Sequence, residues 1–149
     1  MKVWSALLGV LALSALAIGC GGGEETVTKA EFVDQANAIC KQALKDRSAA
    51  ERDFFEGMVD SGKTPDQETI EKRYMTLVLP HLDRMVDELE GIDEPSSDAA
   101  PAAAIVASFK AGITTFEDEL DEVFKENVHP FQKANNQSRV YGLEDCAQF

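Results

Sequence analysis

The chain has 149 residues, with 14 Lys and Arg against 27 Asp and Glu, a formal net charge of −13 at pH 7 and hydrophobic residues making up 44%. This balance excludes a nucleic-acid partner, because phosphate binding needs a basic face and no basic run is present. It also argues against adhesion of the folded surface to anionic lipid headgroups, and solubility is the plainest reading of the acidity, ahead of a recognition surface for a basic partner.

The first informative segment is N-terminal. Lys2 precedes an uncharged apolar stretch from Val3 to Ile18, shorter than the roughly 20 residues that a spanning helix needs, so a cleaved export signal is expected rather than a permanent membrane span. The run closes on Leu16-Ala17-Ile18-Gly19-Cys20, which resembles the lipobox of bacterial lipoproteins, although Ala17 stands where that pattern prefers leucine. The expectation is a signal peptide over 1–19 and a Cys20 that carries acyl chains of the palmitate kind as the new N-terminus. Two or more chains give stable rather than transient attachment. Gly21-Gly22-Gly23-Glu24-Glu25-Thr26 then suits a flexible tether, 20–27, lifting a domain, 28–149, off the outer face of the cytoplasmic membrane. The mature chain has the size of one ordinary domain with its own core.

With Cys20 assigned to lipidation, Cys40 and Cys146 remain as an even pair in an exported chain, where a disulfide is the default. Closing a loop of about a hundred residues is worth about 4 to 5 kcal/mol by chain entropy. A redox or metal thiol pair is the competing reading, but no Cys-x-x-Cys and no neighbouring His supports it.

From Thr28 onward the apolar spacing is helical throughout, and the fold class is all-α. Thr28 and Glu31 form a capping box that starts a first helix at Lys29. Phe32, Ala36, Ile39, Cys40, Ala43 and Leu44 recur at three- and four-residue steps, and Phe54, Phe55, Met58 and Val59 continue the stripe until Ser61-Gly62-Lys63. Thr64 as N-cap and Pro65 in the first turn restart the chain into a helix carrying Ile70, Tyr74, Leu77, Val78, Leu82, Met85, Val86 and Leu89. Pro80 removes one donor from that helix and should kink it near Leu77 to Leu79 rather than end it, because the apolar period resumes at Leu82.

Turn chemistry fills Gly91 to Pro101. A third helix follows, running to about Asn127 on Ile105, Val106, Phe109, Ile113, Phe116, Leu120, Val123 and Phe124. A short fourth helix follows Pro130, with Phe131, Ala134 and Tyr141 inward and Gly142 as a left-handed cap. At about 1.5 Å per helical residue, an up-down-up-down four-helix bundle brings Cys146 to the level of Cys40 on the first helix. The expected architecture is therefore a bundle whose C-terminus is clasped to its first helix.

The stretch from Lys29 to Cys40, KAEFVDQANAIC, together with the terminal Tyr141-Gly142-Leu143-Glu144-Asp145-Cys146, resembles a group of small uncharacterised predicted lipoproteins of actinobacteria. The resemblance spans the domain from start to end, its middle being carried only by helical pattern. It implies a helical exported domain with two end-placed cysteines and brings no activity or catalytic residue.

The chemistry is sparse. No nucleophile elbow, phosphate-cradling loop, haem-attachment motif or zinc-protease motif is present, so no catalytic residue, metal ligand or cofactor is assigned. His81 and His129 each adjoin a proline at a helix edge, where solvent-facing or capping roles are commoner than ligation. A haem held by a His and one of Met58, Met75 or Met85 is outweighed by methionine as core filler. The run Glu117, Asp118, Glu119, Asp121 and Glu122, and the face Asp83, Asp87 and Glu88, read as solvated acidic surfaces; in the run, Glu117 over Asp121 and Asp118 over Glu122 repel unless a basic side chain compensates. Asn136-Gln137-Ser138 is a chance sequon. The expected function is a non-enzymatic protein-interaction or envelope-assembly module, held to the membrane through Cys20 and able to engage an envelope protein. The alternative is a small-ligand or metal-binding lipoprotein using the space near Pro80, His81 and His129.

Overall fold

The computed structural model describes residues 27–61, 65–126 and 128–149. The expected signal peptide, Cys20 and nearly all of the tether lie outside the described residues. Among those described, the chain is all-helical: α1 (Lys29–Ser61), α2 (Gln67–Leu77), α3 (Leu79–Glu90), α4 (Ala99–Asp118), α5 (Leu120–Glu126), α6 (Gln132–Tyr141) and a terminal 3-10 turn (Cys146–Gln148).

α1 begins where the capping box places it. The Thr28 N–H donates to Glu31 Oε2 at 2.9 Å and the Glu31 N–H to Thr28 Oγ1 at 3.3 Å, satisfying donors that the first helical turn leaves open. These bonds favour the ionised carboxylate and hold Glu31 below the usual carboxylate range. The start of α2 corrects the sequence reading. Its N-cap is Asp66, whose carboxylate accepts from the Thr69 N–H at 2.8 Å, and not Thr64. A carboxylate is both a good cap and a favourable charge at a helix N-terminus, and Pro65 accordingly precedes the helix instead of opening it.

Two breaks divide what the apolar period reads as single helices. At Val78 the interruption is one residue long, and Val78 keeps right-handed helical dihedrals of −96° and −47°. Pro80 sits in the first turn of α3, where its missing N–H costs nothing, and the His81 N–H bonds to the Val78 carbonyl at 3.0 Å in the tighter i−3 pattern. The interruption falls where Pro80 is expected to act, near Leu77 to Leu79, but it divides the expected kinked helix into two, α2 and α3. The second break, at Glu119 with dihedrals of −123° and 27°, has no proline. It falls in the middle of the acidic run, where like charges one turn apart work against a continuous helix.

Contacts along the chain fix how the elements lie. Arg84 pairs with Asp46 at 3.6 Å, and a Cβ on Gly57 would lie 3.4 Å from Arg73, so α2 and α3 run opposite to α1. α4 packs on α3 and α6. α6 returns along α4: Phe131 stacks on Phe116 with centroids 6.5 Å apart, while Tyr141 shares a groove with Ile105 near the other end. The core joins Phe32, Ala36, Cys40, Leu82, Met85, Phe109, Ala134, Leu143 and Cys146 in one cluster. α4 is long and apolar enough, by length and composition, to cross a membrane. Its residues Ala102, Ile105, Phe109, Ile113 and Phe116 are buried in this core, which accounts for its composition.

Gly112 allows α6 to approach α4. A Cβ there would lie 2.5 Å from Phe131 Cδ1 and 3.0 Å from the Pro130 carbonyl oxygen. Gly112→Ala should therefore lower the unfolding free energy by about 1 to 3 kcal/mol, the range for overpacking, despite alanine's better helix propensity. Urea denaturation followed by far-UV circular dichroism checks this.

Candidate functional site

Cys40 and Cys146 lie at disulfide distance, with sulfurs 1.97 Å apart and α-carbons 5.0 Å apart across a sequence separation of 106. Both are fully buried. Local geometry around the pair explains how the C-terminus reaches it. Gly142 takes φ 101°, the left-handed conformation that ends a helix without a Cβ clash, and the N–H groups of Gly142 and Leu143 both return to the Ser138 carbonyl, at 3.0 and 2.8 Å. The chain then crosses to α1, where Asn37 receives it: Asn37 Oδ1 accepts the Asp145 N–H at 3.0 Å and its amide donates to the Gly142 carbonyl at 3.4 Å. The next turn adds Asn135 donating to the Phe149 carbonyl and Arg139 donating to the Ala147 carbonyl at 3.5 Å. Asn37 and Asn135 were not singled out from sequence. An asparagine at a helical position carries no local mark of its partner, whether 14 residues away, as for Asn135, or 105 and 108, as for Asn37.

At the start of α1 the clasp continues through Tyr141. Its ring meets Phe32 edge-on at 6.0 Å, Lys29 Nζ lies 4.2 Å above it, and Lys29 pairs with Asp98 at 3.1 Å. Beside it a groove of about 490 Å³ is walled by Pro101, Ala104, Ile105 and Val140, and Val140 is 90% exposed.

Further along the domain, rings accumulate around a second cleft of about 390 Å³. Tyr74 stacks on Phe116 at 5.1 Å and meets Phe124 edge-on at 5.8 Å, Phe116 stacks on Phe131, and Phe109 lies 6.2 Å from Phe131 and 5.8 Å from Phe149. Arg47 Nε donates to Glu51 at 3.0 Å while its guanidinium faces the Phe149 ring at 6.0 Å. Burial is the main cause that pushes the Tyr74 phenol up, with the nearby Glu51 carboxylate adding to it and Arg47 opposing.

The histidines part company. His129 lines this cleft, whereas His81 is not among its walls and keeps a buried Nδ1 without a hydrogen-bond partner. Among the described residues no group of three or more His, Cys, Asp or Glu side chains converges on a point that could hold a metal ion. Met75 and Met85 pack in or against the core, with Met85 fully buried. In the acidic run Asp121 is compensated: Lys125 pairs with it and Gln67 of α2 donates to it at 3.2 Å. The hydrogen bond from Lys125 holds Asp121 below the usual carboxylate range. On the other acidic face partial burial raises Asp83, with Asp87 adding repulsion. Asn136 accepts from Arg139 at 3.3 Å.

The chain matches no protein-family model, no curated protein and no solved structure.

Two measurements follow from this geometry. Cys40→Ser should lower the unfolding free energy by about 4 to 5 kcal/mol under oxidising conditions, and reductant should bring the parent protein down towards the variant; equal urea midpoints with and without reductant would contradict a stabilising bond. The chain has two tyrosines, and burial raises both in the folded state. Phenolate absorbance at 295 nm should therefore titrate above the ordinary value of about 10 in the folded protein and return to it in urea. Because the folded values are the higher ones, the stabilisation is fully present below pH 10 and is lost as pH rises through them.

Proposed function

We propose that this protein is an exported lipoprotein, anchored by acyl chains on Cys20, whose helices form an up-down-up-down four-helix bundle with a segmented second and third helix and a short fourth. It acts by binding, as a protein-interaction or envelope-assembly module on the outer face of the cytoplasmic membrane, and not by catalysis. The observation that carries the compartment is the buried Cys40–Cys146 pair at bonding distance, since oxidised pairs of this kind persist outside the reducing cytosol. Opposite running directions of neighbouring helices support the bundle, and the resemblance to small actinobacterial lipoproteins agrees with it.

The interaction reading is supported by apolar side chains left in solvent. Val140 beside Pro101 and Ala104 forms one such place near the start of α1, and Phe55, 57% exposed, forms another towards the end of that helix. Each belongs to a patch, Val140 with Pro101, Ala104 and Ile105 and Phe55 with Phe54, Ile70 and Leu77, and contiguous apolar patches rimmed by polar residues mark sites that meet partners.

The test uses protein extracted from its own membranes in mild detergent. The denatured, non-reduced mass should equal lipidated Cys20 to Phe149 less two hydrogens, and Cys20→Ala should remove the lipid and leave the fold intact. A photo-crosslinking residue at Val140 or Phe55 should capture the same envelope protein reproducibly. An unlipidated mass overturns the anchor, and the absence of any reproducible crosslink overturns the interaction role.

A further inference from the structure

We infer that the cleft around Tyr74, Phe116, Phe124 and Phe131 is a binding site for an uncharged, planar ring compound with one polar edge. This site is independent of how the chain is anchored. Its size, about 390 Å³, falls in the range of small-molecule pockets. Ring walls come from α2, α4, α5 and the segment before α6, and Phe149 adds another. Tyr74, Phe116, Phe124 and Phe131 all line the cleft, and an aromatic lining favours a flat guest that meets ring faces or edges over a bulky aliphatic one of equal area.

Charge selects further. The chain carries 27 acidic residues, yet none of them lines the cleft. Its one charged wall side chain, Arg47, is already paired with Glu51 at 3.0 Å. A charged guest would be desolvated there with no unpaired side-chain counter-charge, which is costly; a neutral one has only its polar edge to desolvate. Gln148 and His129, both exposed, stand at the wall with side-chain donors and acceptors for a single polar group.

The two helix breaks place the site. The rings of Tyr74 and Phe116 lie just before Val78 and Glu119, and the bend at Glu119 separates Phe116 from Val123 and Phe124, which complete the wall. A straight third helix would keep those three side chains on one continuous stripe.

The experiment titrates the full chain, disulfide intact, with 2-naphthol, its anionic and cationic counterparts 2-naphthoate and 2-naphthylmethylammonium, and the non-planar 2-decalol, by calorimetry and NMR shift perturbation. Saturable one-to-one binding of 2-naphthol is expected, at least tenfold tighter than each of the other three, with shifts centred on Tyr74, Phe124 and Phe131. Phe124→Asp should weaken it at least tenfold while Val140→Asp leaves it unchanged. Should Phe124→Asp lose its fold by circular dichroism, Val128→Asp, at a wall residue 42% exposed, replaces it with the same expectation. No saturable binding, or shifts elsewhere, overturns the site. A charged ligand or 2-decalol binding equally well overturns the ligand class.

Discussion

The fold depends on the seating of the C-terminal segment on α1. Without it, α6 would touch little beyond α4, and the face of α1 bearing Ala36 and Cys40, both fully buried, would lie open. A long first helix has little intrinsic stability from its sequence alone, so its order comes from what packs on it, α2 and α3 along its length and the C-terminal segment on this face. The covering segment is short and turns sharply. It holds its course because Gly142 reverses the chain, Asn37 catches two backbone groups at once, and the sulfur pair fixes the remaining distance. Each contact supplies only a modest net energy, but together they leave the last residues a single path.

From that clasp the rings extend the constraint along the domain. Phe149, at the end of the clasped segment, touches Phe109; Phe109 touches Phe131; Phe131 stacks on Phe116; and Phe116 stacks on Tyr74 of α2. Elements far apart in sequence are thereby connected by one continuous series of ring contacts. Gly112 is the steric condition for this series, because any side chain there would displace Phe131 from α4.

Much of this was legible in the sequence, for reasons that are local. The capping box, the interruption just before Pro80 and the left-handed glycine each act over three or four residues, and each falls where its residues place it, although the interruption ends one helix and starts another where a kink was expected. The cysteine pair was legible from parity, given the expectation of an exported chain, and its level on α1 from helix rise. What escaped the sequence is non-local or comes from a competition between neighbours. Asp66 wins the N-cap over Thr64 by two positions because an ionised carboxylate serves an open helix end better than a hydroxyl. The break at Glu119 was hidden because the apolar stripe runs through it, while the repulsion that opposes it lies on the polar side. Gly112, inside a strongly helical stretch, gives no sign that a ring will press against it. Of the two histidines, only His129 lies at the cleft, because its segment carries the chain from α5 back to α6 along the rings.

The distribution of order along the domain bears on how it works. The end that holds the start of α1 is the fastened end: Lys29, Asp98, Phe32 and Tyr141 tie three elements together there, close to where the chain arrives from Cys20. The interrupted helices lie further on, around the ring-lined cleft. The proposed tether of a few glycines would set the height of this end above a membrane while placing little limit on its rotation. In the proposed anchored state the fastened end is the part held nearest the attachment point, and the cleft, whose wall residue Arg47 lies about midway along α1, is set further from it. A continuous α4 through Glu119 would close that region into ordinary bundle packing, so the helix break that the acidic run favours is also what leaves room for a guest.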